Sequence, residues 1–411
     1  MKLLRLFLLW SCILFFMAPP VPNAFPEDAA PASESKGAEV QETPHIGAIP
    51  TYVQKKIYKK IWKQKKLNFS LESASIGDVD GDGMNELIGT DGRRLSMVQW
   101  RYGEFHPIFS SVQEGKRGFF SSRLWSREDS GRAMETINKL NKGIHYLSLS
   151  AEDLDGDGRD EILFTGIEDH EVVSGIIAYE KGGFQLYKAD AGLYLKVFHG
   201  EDGRPVLAGQ DLHSVKKETY HYLWDGNAVK KGESMELPEG VDIFNAESYL
   251  TGDPAGAAYV TLSHAEGLRF FSSDLKETAK GVSIGEIKQS SFRVHTGDDQ
   301  GKSGGKRVRI PQKFLSGDFD KDGMDEVLLI VDRPLADIWG VRHLLKRNRV
   351  ADMILANGHV AEFWDTEPIS GKILDLTVGD VDNNGKDDLV LILGDGWRPF
   401  AGGTKILIYE F

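Results

Sequence analysis

Four short segments of this 411-residue chain repeat one pattern, and the repeat constrains the fold more than any other feature. The first holds Asp78, Asp80, Asp82 and Glu86, and the second Asp153, Asp155, Asp157 and Glu161. The third holds Asp318, Asp320, Asp322 and Glu326, and the fourth Asp380, Asp382, Asn384 and Asp388. These side chains occupy the first, third, fifth and ninth positions of each segment. A glycine follows the fifth position every time, at Gly83, Gly158, Gly323 and Gly385. Each segment follows a short apolar run and leads into another, such as Val327 to Ile330 or Leu389 to Leu393. Short β-type runs around a fixed loop predict a strand–loop–strand unit repeated along the chain.

The loop chemistry is that of a hard cation. Calcium takes six to eight oxygen ligands, and carboxylates at the first, third and fifth positions converge when the chain curls. Glycine at the sixth position permits the sharp turn. The seventh residue then offers a backbone carbonyl, at Met84, Arg159, Met324 and Lys386, and the ninth a closing carboxylate. The pattern predicts up to four Ca2+ ions. An EF-hand is excluded, because its loop needs a bidentate Glu at position 12. Gly89, Phe164, Leu329 and Leu391 stand there.

These four segments resemble the FG-GAP/VCBS repeat, the propeller repeat also found in integrin α chains. The resemblance covers roughly residues 71–411, strongly at the loops and weakly between them. It implies an all-β fold, a β-propeller in which each loop joins the first and second strands of a blade and binds calcium. By matching positions, it implies the ligand role for the sixteen side chains named above. Family members commonly close the loop with Asp, whereas three loops here close with Glu.

Blade number follows from spacing. The gap between the second and third loops is too long for one blade, and two degenerate units fill it. His199 to Leu207 keeps turn glycines without ligands, and Leu250 to Gly256 keeps only a Gly-Asp start. Hairpin turns between the third and fourth strands of blades are predicted at Tyr102–Glu104, Lys181–Gly183, Asp225–Asn227, Ser273–Asp274 and Asn357–Gly358. The last blade ends at Lys405–Phe411 without a fourth strand. The segment Lys56–Lys63, with Ile57, Ile61 and Trp62 among lysines, is predicted to supply it and close the ring. Six blades is the expectation and seven the alternative. The lysines from Lys55 to Lys66 read as a solvated edge strand, or else as a patch for anionic polymer or membrane.

Residues 1–24 have the charge, apolar core and proline break of a signal peptide. Residues 25–50 read as a flexible Ala/Pro/Glu/Ser linker, leaving 51–411 for the propeller. The chain is therefore expected to be exported from a bacterial cell and to be periplasmic, outer-envelope-associated or secreted. Its one cysteine, Cys12, lies in the leader, so core, sheet closure or metal must hold the mature fold. Net charge is −13, and loss of the leader with Lys2 and Arg5 makes it −15, equal to the number of loop carboxylates proposed as ligands. Nucleic acid is not an expected partner, and membrane contact is expected only through the N-terminal segment.

In a propeller, long connections lie on the face opposite the acidic loops. They contain Phe119, Phe120 and Trp125, then Trp339 and Arg342, then Trp397, Arg398 and Phe400. Aromatics mixed with arginine form a candidate ligand face for a protein or glycan partner. No nucleophile elbow, zinc signature or phosphate loop is present. The expectation is thus a binding or scaffold module and not an enzyme. Alternatives are a polysaccharide lyase or other carbohydrate-active enzyme on the same propeller, and a purely structural envelope component.

Overall fold

The computed structural model describes residues 58–110, 142–190, 192–200, 202–212, 217–250, 257–263, 267–281, 289–294, 306–334, 346–394 and 403–411. The fold is an all-β propeller of six blades. Blade 1 comprises Ser73–Gly77, Glu86–Thr90, Leu95–Arg101 and Glu104–Ser110. Blade 2 comprises His145–Glu152, Glu161–Glu168, Glu171–Glu180 and Gly183–Lys188. Blade 3 comprises Leu193–His199, Pro205–Asp211, Thr219–Trp224 and Val229–Met235. Blade 4 comprises Ala246–Ser248, Ala257–Ser263, Gly267–Ser272 and Glu277–Lys280. Blade 5 comprises Phe314–Gly317, Glu326–Pro334, Lys346–Ala356 and His359–Thr366. Blade 6 comprises Lys372–Gly379, Asp388–Gly394 and Lys405–Glu410, with a fourth strand from the N-terminal end of the chain.

Sheet packing explains why the blades form a ring. Among the described residues, six apolar clusters each join two successive blades. Leu87, Val98 and Trp100 of blade 1 meet Val390, Ile392, Ile406 and Ile408 of blade 6, so the last interface is built like the others. A central strand must be apolar on both faces to serve two neighbours. The second strand of blade 5 meets that need from Val327 to Val331.

Local turn chemistry matches the sequence expectation. Tyr102 and Gly103 have φ of 53° and 81°, Lys181 and Gly182 have 50° and 77°, and Asn357 and Gly358 have 52° and 74°. Two successive positive φ values are the signature of the tight hairpin turn whose twist suits antiparallel strands.

Ring closure differs from expectation in register. The closing strand is Lys63–Lys66, antiparallel to Lys405–Glu410, with Lys63 opposite Ile408. Tyr58 and Lys59 instead run parallel to the outer strand of blade 5. The reason lies in what is buried. Ile61 and Trp62 are exposed, whereas Leu67 and Leu71 enter the core between blades 6 and 1. Thr404 pins that stretch, because its hydroxyl accepts from Leu71 N at 2.6 Å and its carbonyl from Leu67 N at 2.8 Å. Gly403 is required beside it, since a Cβ there would stand 1.6 Å from the Leu67 carbonyl oxygen.

One element was not anticipated. A two-stranded hairpin, Gln289–Val294 with Lys306–Pro311, follows blade 4 and precedes blade 5 in the chain, and packs on the core between blades 3 and 4. It helps fill the long gap between the second and third acidic loops. Among the described residues, no helix is long and apolar enough to cross a membrane.

Candidate metal loops and central channel

The four acidic loops share one hydrogen-bond plan. In the first, Asp78 accepts from Gly81 N, Asp82 N and Gly83 N at 2.8, 3.1 and 2.9 Å. Asp153, Asp318 and Asp380 likewise accept from the amides of the fifth and sixth positions. The fifth side chain accepts from the seventh amide, as Asp82 does from Met84 N and Asn384 from Lys386 N. The fourth position has positive φ throughout, at Gly81, Gly156, Lys321 and Asn383. Sequence reasoning had assigned only the sixth-position glycine.

The ninth position separates the fourth loop from the others. Glu86, Glu161 and Glu326 reach back to the second-position amides of Val79, Leu154 and Phe319, at 3.1, 2.9 and 2.9 Å. Asp388 is one methylene shorter. It is completely buried, and neither of its oxygens has a hydrogen-bond partner. One oxygen of Asp382 is likewise unpartnered, while the other accepts from Lys63 at 3.1 Å.

These groups fit a cation. In each loop, carboxylates of the first, third and ninth positions bring oxygens within 4.8 Å of one another, and in the third loop Asp322 joins them. Two oxygens bound to one calcium ion stand at most about 5 Å apart. A buried carboxylate without a partner is costly, and a cation removes that cost. Burial, reinforced by Asp80, pushes Glu86 up to about 9. Burial raises Glu326 to about 8 and Glu161 to about 7, and burial with Asp382 nearby raises Asp388 to about 7. Fifth-position side chains are less committed. Asp82 faces Gln99 and Arg101 at 3.3 Å, and Asp157 is held by Arg159. The four clusters could therefore hold metal ions.

The eighth position does separate work that the sequence did not reveal. Asp160 of blade 2 accepts from Asp78 N at 2.8 Å and donates its own amide to Asp78 O at 2.9 Å. Asp325 of blade 5 makes the same two bonds to Leu250, at 2.6 and 3.1 Å. Asn85 of blade 1 donates to Asn383 Oδ1 at 2.6 Å and to Asp380 O at 3.0 Å. Asp387 of blade 6 pairs with Lys321 at 3.2 Å. Each loop thus grips the preceding blade. Gly77 makes room for one clasp, since a Cβ there would stand 2.3 Å from Asp160 Oδ2.

The innermost strands line a central cavity of about 540 Å3. Polar residues from all six blades face it, including Ser73, Ser148, Lys196, Glu247, Ser316 and Asp375. Lys196 donates to Glu247 at 2.7 Å. Asp375 accepts from Ser73 Oγ at 2.7 Å and Ala74 N at 2.8 Å, with Lys313 Nζ 3.7 Å away. Lys313 also donates to the Ala74 carbonyl at 3.0 Å. Strand direction places Glu152 and His199 at the acidic-loop end, where Glu152 raises the His199 pKa. Glu72, His145 and Lys313 lie at the other end. The signal for these residues was the polar alternation in the strand before each loop.

Phe119, Phe120, Trp125, Trp339, Arg342, Trp397, Arg398 and Phe400 lie outside the described residues. The same holds for residues 1–57 and for 251–256 of the degenerate fourth-blade unit. The third-blade unit is a tight turn in which Gly200 N donates to Arg204 O at 2.9 Å.

No family model matches the chain. Rhamnogalacturonan endolyase YesW of Bacillus subtilis (strain 168) is 28% identical over 153 residues, which is 35% of this chain and 22% of that protein. The chain thus spans about a fifth of the length of the curated relative it matches. This match overturns the expectation that the chain is not an enzyme, which rested only on the lack of a linear catalytic motif. Among solved structures, BBS1N in complex with ARL6DN aligns with TM-score 0.43 and 9% identity, over 86% of this chain and 98% of that one. A thermostable family-43 glycoside hydrolase aligns with TM-score 0.34 and 10% identity, over 86% and 92%. At those scores neither structure bears on function.

Proposed function

We propose that this chain is an exported, calcium-stabilised propeller of the FG-GAP/VCBS type that cleaves an acidic polysaccharide by β-elimination at its central channel. The observation that carries the reading is the 540 Å3 channel with cationic and proton-carrying side chains at one mouth. The partial likeness to an endolyase supports the reaction class. The sixteen loop side chains, with the carbonyls of Met84, Arg159, Met324 and Lys386, are the proposed calcium ligands. Calcium supplies charge neutralisation to those loops and takes no part in the reaction.

β-Elimination on a uronate needs three things. A base removes the proton beside the carboxylate, a cation balances the charge that develops there, and the C–O bond breaks as a C=C bond forms, the departing oxygen receiving a proton from the protonated base or from water. Lys313 is the proposed cation. His145, beside Glu72, is the proposed proton-transfer group. Asp375, itself held by Ser73, and the Ala74 carbonyl hold Lys313 in place through the contacts described above. An acidic polymer would enter at this mouth because the opposite face carries the loop carboxylates.

Polygalacturonate and rhamnogalacturonan should yield an unsaturated product, seen as rising ultraviolet absorbance, when incubated with the full chain and calcium. His145→Ala or Lys313→Ala should lower the rate by about 100-fold or more. A flat absorbance with every uronate polymer would overturn the lyase reading.

A further inference from the structure

The unanticipated hairpin carries a second basic site. Connections between successive blades lie on the face opposite the acidic loops, and the hairpin joins blade 4 to blade 5 there. Ser291, Phe292, Ile310 and Pro311 of the hairpin line the central channel. Beside it is another cavity of about 250 Å3, lined by Leu212, Lys217, Asp242, Phe244, Arg307, Val308 and Arg309. Phe244 lines both cavities, so they adjoin on one face.

Alternation along the strand sets the chemistry of this second cavity. Val308 is buried against Phe244 and neighbours in the core between blades 3 and 4. Arg307 and Arg309, on either side, therefore share the other face of the strand and are exposed. Arg307 donates to Ser291 Oγ at 3.2 and 2.8 Å from two guanidinium nitrogens. Arg309 stands opposite Ser291 in the ladder. Among the described residues, neither guanidinium meets a carboxylate. The one acid in the cavity wall, Asp242, is already taken by Lys217.

We propose that this cavity is an acidic-sugar subsite, in which Arg307 and Arg309 hold a uronate carboxylate of a polymer that continues into the central channel. The inference deepens the lyase reading and rests on it. A guanidinium offers a planar fork of donors that matches a carboxylate, and two such forks on one strand face suit an anionic sugar better than a neutral one. The subsite lies outside the set assigned to proton transfer, so its effect falls on binding.

The test uses the full chain with calcium and oligogalacturonate, with affinity measured by calorimetry. Arg307→Ala with Arg309→Ala should weaken binding by about tenfold or more, because hydrogen bonds to a charged group are lost. Methyl-esterified oligogalacturonate should lose at least that factor on the unaltered chain, since Lys313 loses its carboxylate too, and show no further loss on the double variant. An unchanged melting temperature in the double variant is expected, since both side chains are exposed. Equal affinity of the double variant and the unaltered chain would overturn the subsite while leaving the channel reading in place. Absence of any binding of acidic oligomer by the unaltered chain would overturn both.

Discussion

Blades 5, 6, 1 and 2 follow one another around the ring and carry the acidic loops, whereas blades 3 and 4 do not. The two halves hold their seams differently. In the first half, an eighth-position side chain of a loop grips the blade before it, as Asp160 grips Asp78. Between blades 3 and 4, the seam is Lys196 with Glu247 in the channel and His199 N donating to Ser248 Oγ at 2.9 Å. The first kind of seam is built on loops crowded with carboxylates, so it depends on whatever balances their charge. The second is already neutral. The comparison teaches that one fold can contain a charge-conditional half and an unconditional half.

Metal removal should separate the halves most. Excess chelator should lower the melting temperature by on the order of 10 °C or more, because several sites each contribute a few kcal/mol when saturated. Hydrogen exchange should then rise in the acidic loops and stay unchanged at the Gly200–Arg204 turn. Equal exchange in both halves would break the comparison.

The pH dependence of the chelated protein comes next. Glu86, Glu326, Glu161 and Asp388 have folded pKa values of about 9, 8, 7 and 7. Unfolded carboxyls titrate near about 4. Between these values the folded chain binds more protons than the unfolded chain, so stability falls as pH rises. The chelated protein should therefore lose stability steadily from about pH 5 to pH 9. With calcium the slope should flatten or reverse, since ligands must be ionised to bind. Denaturant titrations at several pH values, with and without metal, check the sign.

The clasps can be tested singly. Asp160→Ala leaves the Asp78 amide without its acceptor and should cost about 1–3 kcal/mol, whereas Ser248→Ala in the plain half should cost about 1 kcal/mol or less. Equal losses in equilibrium unfolding would erase the difference between the seams. The smallest effect is expected at the fourth loop. Asp388→Glu adds the methylene needed to reach the Val381 amide, as Glu86 reaches Val79, and should stabilise the chelated chain by about 1 kcal/mol. No gain in unfolding midpoint would show that chain length is not why Asp388 lacks a partner.

Local chemistry explains what was legible. The repeated carboxylates, the sixth-position glycines and the hairpin turns could be read from residues a few places apart, because each is a short-range device. They led to an all-β propeller of six blades and to the acidic clusters. The closing strand was placed a few residues early, since Ile61 and Trp62 look like anchors until the fold shows Leu67 and Leu71 buried instead. The lack of a linear catalytic motif misled, because a site of the kind proposed for the channel, assembled from single residues of different blades, would leave no motif. Asp160, Asn85 and Asp325 were visible in the sequence, but their partners lie in other blades. The sequence by itself determined the blades and their acidic loops, through interactions that close within one strand–loop–strand unit. Only the tertiary structure decided which loops clasp, what lines the channel and where Arg307 and Arg309 stand. Those contacts join residues from separate blades, and only closure of the ring sets the distances between them.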